Sequence, residues 1–368
     1  MTISRQQVEQ ALRGWRDPHV DKDLLLCGAV NDIVIDGDRV TIKVTLGYPA
    51  ASVKAQMAEQ IAAAVSKELR AVELPQARVE VQLGWNVLPH KAQQNLPNMQ
   101  NVKNIIAVAS GKGGVGKSTT AVNLALALQA EGARVGLLDA DIYGPSQPLM
   151  LGVPDERPAQ RGSQMLEPVA AHGLQTMSIG YLLTESTPVV WRGPMVSGAL
   201  QQLLNQTAWD ELDYLIIDLP PGTGDIQLTL AQKVPVAGSV IVTTPQDIAL
   251  LDAKKGIEMF RKVDVPVLGI VENMAVHICT HCGNVDHLFG SGGGETIAAE
   301  YGVPLLGSLP LARSIREQSD GGNPPVAAEP NGAVAALYKE IARRTAAQLA
   351  LRERQNTAVF PNIVIRND

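Results

Sequence analysis

From Val30 to Leu46 apolar and polar residues alternate, and the alternation breaks once, at Asp36-Gly37-Asp38. Two period-two runs around such a turn predict a β-hairpin. Ahead of it, Val8–Trp15 has a helical start. Behind it, Ala51–Val72 sets Val53, Met57, Ile61, Val65 and Leu69 at helical spacing, and Ala77–Leu83 alternates again. Residues 1–88 therefore read as a small N-terminal α/β domain with nothing in it that looks catalytic. Pro89–Asn101 is rich in glutamine, asparagine and proline, so residues 89–102 read as a polar linker.

The pattern then changes. An apolar run from Asn104 leads through a glycine-rich turn into a helix over Thr119–Gln129, which Gly132 ends. Further strand-like runs follow at Arg134–Asp139, Leu174–Ser178, Tyr214–Asp218, Ser239–Thr244, Pro266–Val271 and Pro304–Leu309, most of them separated by helical stretches. Such alternation predicts an α/β domain over 103–354, with a mainly parallel sheet of about seven strands flanked by helices on both faces. Pro154–Gly173, dense in proline, glycine and charge, reads as a loop. A last helix over Val334–Arg354 places Val334, Leu337, Ile341 and Leu349 on one face as core cover. Residues 355–368 read as a tail.

Composition narrows the function classes. The 368 residues suffice for two domains, and a hydrophobic fraction of 45% suits a soluble α/β protein. No apolar run approaches the roughly 18 residues of a membrane helix, and the first residues are too polar for a signal peptide, so a cytoplasmic protein is expected. With 31 basic and 37 acidic residues the net charge is −6, and no long basic block is present. Neither nucleic acid nor a membrane is expected as a partner. An odd cysteine count, Cys27, Cys279 and Cys282, does not fit a disulfide framework.

The glycine-rich turn carries the chemistry. Gly111, Gly116, Lys117 and Ser118 fill G-x-x-x-x-G-K-[ST], in which backbone N–H groups wrap a polyphosphate, a lysine reaches its outer phosphates and a hydroxyl holds Mg²⁺. The same stretch satisfies G-x-G-x-x-G through Gly111, Gly113 and Gly116, with Asp139 where a dinucleotide fold places its ribose-binding acid. Lys117-Ser118 favours the phosphate loop, because a pyrophosphate on a helix N-terminus needs neither that lysine nor that hydroxyl. Lys112 is not demanded by a phosphate loop, and its plain reading is a solvated charge.

Asp139 and Asp141 end the next strand, at the sheet edge where the ligand crevice lies. Phosphoryl transfer needs an acidic group to position water; a cap on the following turn is the plain alternative for Asp139. Asp218 ends another apolar strand and fits a Walker B magnesium ligand, and Pro220-Pro-Gly-Thr-Gly224 after it suits a switch that senses the γ-phosphate. Asn273 follows the strand at Val267–Val271; its amide can donate and accept on one edge, which suits adenine, while its spacing alone favours a turn residue. Cys279-Thr-His-Cys282-Gly can clamp a metal between two thiolates. A thiolate zinc or iron–sulfur site wants about four protein ligands, so either a dimer supplies two pairs, or one chain adds two of His277, His281 and His287 for zinc.

The loop, Lys112-Gly-Gly-Val-Gly-Lys-Ser-Thr119, resembles the deviant Walker A signature of the ATPase class that includes the nitrogenase iron protein and the partition and division-site ATPases. That resemblance implies that Gly111 through Thr119 bind the nucleotide, that Lys112 crosses to the nucleotide of a facing subunit, that Asp141 positions water, and that Asp139 supports the magnesium shell. With Asp139-Ala-Asp-Ile-Tyr-Gly-Pro-Ser146, Trp191-Arg-Gly-Pro-Met195, Asp218-Leu-Pro-Pro-Gly-Thr-Gly-Asp225, Thr244-Pro-Gln-Asp247 and Cys279-x-x-Cys282 in this order, the chain closely resembles the Mrp/ApbC family of iron–sulfur cluster carrier ATPases. The family implies a homodimer that holds a 4Fe-4S cluster on paired Cys279 and Cys282, hydrolyses ATP slowly, receives clusters from an assembly scaffold and passes them to apoproteins. It also favours an adenine role for Asn273. Residues 1–88 resemble a small domain of iron–sulfur assembly factors, with Gly47-Tyr-Pro-Ala-Ala-Ser52 where many such domains carry a cysteine, which leaves Cys27 as a structural thiol. A zinc-stabilised, nucleotide-switched scaffold or positioning ATPase without a cluster is the alternative.

Overall fold

In a computed structural model the described residues are 3–71, 77–90, 99–162, 164–182 and 193–359. Packing divides the chain into two units: the chain up to Leu88 together with residues from Ala346 onward, and Pro89–Thr345.

In the first unit Ser4 caps the opening helix, Arg5–Leu12: its hydroxyl accepts from the Gln7 N–H while Gln7 Oε1 accepts from the Ser4 N–H. The alternating segment forms the hairpin, Val30–Asp36 antiparallel to Arg39–Leu46, and the latter pairs in parallel with Arg78–Trp85. The intervening helix Lys54–Ala71 buries Met57, Ile61, Val65 and Leu69, four of the five residues its spacing singles out, with half-buried Val53 just ahead of its first turn, and packs on Arg78–Trp85. After the central strand, Tyr48 is buried and donates to Asp17 Oδ2 at 2.6 Å, and His19 Nδ1 lies 2.9 Å from its hydroxyl. Cys27 is buried in the same unit.

The second unit is built on an eight-stranded sheet in the order Val169–Ala171, Leu174–Ser178, Val135–Asp139, Leu212–Asp218, Val102–Ala109, Gly238–Thr243, Val267–Glu272, Leu305–Ser308. All neighbours are parallel except the first two. The additional strand, Val169–Ala171, lies within the stretch whose prolines and glycines mark it as a loop. It is a three-residue edge strand closed by His172-Gly173, with φ of 47° and 80°, and so short a run carries no readable alternation. Gln160–Arg161 and Met165–Leu166 form a second small hairpin there.

The terminal helix runs Ala333–Val359 and contributes to both units. Its buried face is Ala335, Tyr338, Ile341, Ala342, Thr345 and Leu349, whereas Leu337 is exposed. Of the expected stripe Ile341 and Leu349 are buried, Val334 is half-buried and Leu337 is not, because two polar anchors set the helix rotation: Tyr338 hydrogen-bonds the Thr120 side chain, and Arg343 pairs with buried Glu131. Thr120 lies in the helix Lys117–Ala130 and Glu131 caps its C-terminus; that helix is buried almost all round and apolar along most of its length. Among the described residues no helix is long and apolar enough to cross a membrane.

Candidate functional site

The central strand Val102–Ala109 has Leu212–Asp218 on one side and Gly238–Thr243 on the other, and beyond its carboxyl end the chain forms the loop 110–116. This is the sheet edge where an open parallel fold places its ligand crevice. Gly116 has φ 83°, and a Cβ there would fall on the Asn273 amide nitrogen; at Gly111 a Cβ would strike the Asp252 carbonyl. Side chains are excluded at these two positions by different neighbours, so the loop backbone stays open to a polyphosphate. The helix beginning at Lys117 points its free N–H groups at the same place. Gly113 and Gly114 are exposed and Val115 is buried beneath them; Ser118 and Thr119 are half-buried at the helix start. The side chain of Lys112 makes no ion pair among the described residues, and its carbonyl accepts from Ser110 Oγ at 2.8 Å.

Lys117 turns its ammonium onto the Asp218 carboxylate, and also donates to Ser118 Oγ at 3.0 Å. The other oxygen of Asp218 accepts from Gln147 Nε2 at 2.8 Å, and the same nitrogen donates to the Ser118 carbonyl at 3.1 Å. Gln147 did not stand out in the sequence. Its neighbours here lie 29 and 71 residues away, and only Ser146 of the Gly-Pro-Ser motif signalled that the turn mattered.

Asp139 holds that turn. Its carboxylate accepts from the backbone N–H groups of Asp141 (3.1 Å), Ser146 (3.0 Å) and Gln147 (3.1 Å) and from Ser178 Oγ (3.1 Å). Burial, then the Asp218 charge, pushes its carboxyl up to about 7 against the pull of those N–H groups and of Lys117. The residue expected to support a magnesium shell thus also ties down the backbone of residues 141–147. Asp141 is half-buried and accepts from the Gly144 N–H at 3.3 Å. Partial burial raises its carboxyl; the Lys117 ammonium opposes this and the Asp218 charge adds to it.

Asn273, expected at adenine, braces the loop: Nδ2 donates to the Val115 carbonyl at 2.9 Å and Oδ1 accepts from the Met274 N–H at 2.9 Å. The segment after Asp218 is tied back by the Gly222 N–H to the Ser110 carbonyl (2.9 Å) and by Gln227 Nε2 to the Pro221 carbonyl (2.6 Å). Trp191 and Arg192 lie outside the described residues.

Cys279 and Cys282 sit on a separate exposed hairpin, His277–Ile278 against Val285–Asp286. The Cys279 N–H donates to the Asn284 carbonyl and the Gly283 N–H to the Cys279 carbonyl, both at 2.9 Å, with Gly283 at φ 73°. That closed turn aims the N–H groups of Cys282 and His281 at the Cys279 sulfur and holds its thiol below the ordinary range. Ile278, Val285 and Leu288 around the pair are more than half exposed. Among the described residues no three His, Cys, Asp or Glu side chains gather into a metal site. His277 Nδ1 lies 3.2 Å from the Leu311 carbonyl.

Fold and loop define a P-loop NTPase of the deviant Walker A type. Residues 101–346 match the family described as NUBPL iron-transfer P-loop NTPase, and residues 5–81 match one described as iron-sulfur cluster assembly protein. The chain is 66% identical over 264 residues to the iron-sulfur cluster carrier protein of Pseudomonas fragi, covering 72% of this chain and 92% of that one. It is 50% identical over 345 residues to that of Escherichia coli strain K12, covering 94% and 92%. A solved nucleotide-binding protein from Archaeoglobus fulgidus in complex with ADP is 40% identical with a TM-score of 0.56, over 61% of this chain and 88% of that chain. The chain belongs to the iron–sulfur cluster carrier family.

Proposed function

We propose that two copies of this chain carry a 4Fe-4S cluster between their Cys279–Cys282 pairs, hydrolyse ATP slowly, and hand the cluster to apoproteins. The observation that carries this reading is the incompleteness of the cysteine site. Each chain offers two thiolate ligands on an exposed turn flanked by Ile278, Val285 and Leu288, and no third donor stands beside them among the described residues. A second copy supplies the missing pair and covers the apolar flank. A labile, surface-held cargo suits delivery better than electron transfer, where burial protects a cluster.

On the nucleotide side, Ser118 and Asp218 are the residues that would hold magnesium, which would neutralise charge on the β and γ phosphates. The donor set fits a hydrated cation: hydroxyl, carboxylate and, next to them, the buried Gln147 Oε1, which has no partner among the described residues. Lys117 exchanges Asp218 for the outer phosphates when the loop fills. Asp141, raised by partial burial and within the crevice, orients the attacking water and takes up its proton. Lys112, without an ion pair among the described residues, reaches the nucleotide of the facing copy. The loop after Asp218, anchored on Ser110 of the phosphate loop, moves with the γ-phosphate and changes the exposure of the cluster.

The test is iron, sulfide and zinc content, with visible absorbance, of protein reconstituted without oxygen, for wild type and Cys282→Ser. About four iron and four sulfide per dimer, lost in the variant, support the reading. Zinc at about one per chain or per dimer, or no metal, overturns it in favour of a nucleotide-switched scaffold.

A further inference from the structure

Gln147 is 1% exposed, and every polar atom it owns except one is accounted for. Its backbone N–H is taken by Asp139 and its side-chain nitrogen donates to both Asp218 Oδ2 and the Ser118 carbonyl. Two acceptors facing one end of an amide fix which end is nitrogen, since the flipped amide would set oxygen against a carboxylate and a carbonyl. That leaves Oε1 as a buried acceptor without a partner among the described residues. An orphaned buried acceptor costs stability, so a well-packed site that keeps one has a use for it in another state.

The orphan does not stand alone. Ser118 and Asp218 are the two residues read above as magnesium ligands, and Gln147 bridges the main chain of one to the side chain of the other. The atom next to that bridge is a bare acceptor, and a cation-bound water is the strongest hydrogen-bond donor such a site receives. The geometry points to Gln147 as the positioning residue of the metal's water shell: its nitrogen holds Asp218 and Ser118 in register, and its Oε1 accepts from a water of the hydrated cation. Asp139 serves the same end one step back, by fixing the backbone of Gln147 through the 146–147 N–H groups. The assignment rests on the nucleotide reading of the loop but not on the cluster.

The experiment is a titration of Mn²⁺ into the full chain saturated with ADP, free Mn²⁺ being read by its paramagnetic resonance signal, alongside ADP affinity measured in EDTA. Gln147→Met, which keeps the volume and removes the amide, is expected to weaken Mn²⁺ binding about tenfold, with ADP affinity in EDTA within about twofold of wild type. The inference is overturned if Gln147→Met binds Mn²⁺ as wild type does, or if ADP affinity in EDTA falls by the same factor as metal affinity. Should Gln147→Met not fold, Gln147→Asn, a methylene too short to span the bridge, carries the same expectation; failure of both makes the residue structural and overturns the assignment. A wild-type chain that binds no Mn²⁺ with ADP would instead remove the nucleotide reading itself.

Discussion

The Cys279 sulfur sits under two backbone N–H groups, and its thiol lies below the ordinary range for that reason before the neighbouring Cys282 thiol adds to it. A depressed thiol is more ionised at a given pH, and the thiolate is the reactive form. In metal-free protein the rate of Cys279 alkylation by iodoacetamide should therefore rise at a lower pH than for the same cysteine in the urea-unfolded chain. Mass spectrometry of the modified peptide across a pH series checks it; coincident profiles would show that the turn does not form without metal. The cysteine turn and the phosphate loop were both legible in the sequence because their partners lie within a few residues: Gly283 with Cys279, Gly116 with Lys117. Gln147 was not: it is tied to Asp139 and Asp218, the ends of two strands that only the parallel sheet brings together.

At the scale of elements, the strands and helices that alternate strongly were readable, and the misses share a cause. Val169–Ala171 is too short to show a period, and the terminal helix takes its rotation from Tyr338 and Arg343, which a stripe of aliphatic residues does not reveal. Arg343 faces Glu131, fully buried at the C-terminal end of the phosphate-loop helix, and also reaches Glu340. Removing one partner of a buried ion pair leaves an uncompensated charge. Arg343→Met should cost roughly 3 kcal/mol, measured as a lowered urea midpoint with little change in slope. A loss below about 1 kcal/mol would mean that the pair is solvated in practice.

For the whole molecule, the proposed roles of the cysteine pair and of Lys112 both call for a second copy. Asp141→Asn, which blocks hydrolysis under the assignment above, should sediment as a dimer with ATP and magnesium, and adding Lys112→Ala should return it to monomer. A dimer that forms without nucleotide, or survives loss of Lys112, would place the interface elsewhere. The return of the chain to the first unit at Ala346 was not legible in the sequence, because a helix carries no mark where its packing changes hands.

The contact between Lys117 and Asp218 has one more consequence, for a protein whose family handles iron. The carboxylate best suited to catch a divalent ion is already neutralised by its own lysine and capped by Gln147. A loose ferrous ion would have to displace an ammonium to bind there, with nothing to draw the lysine off. A cation arriving on a polyphosphate brings that inducement with it. Under the proposed reading, selectivity at this site is set by what the metal travels with, which keeps the nucleotide's metal apart from the cluster's.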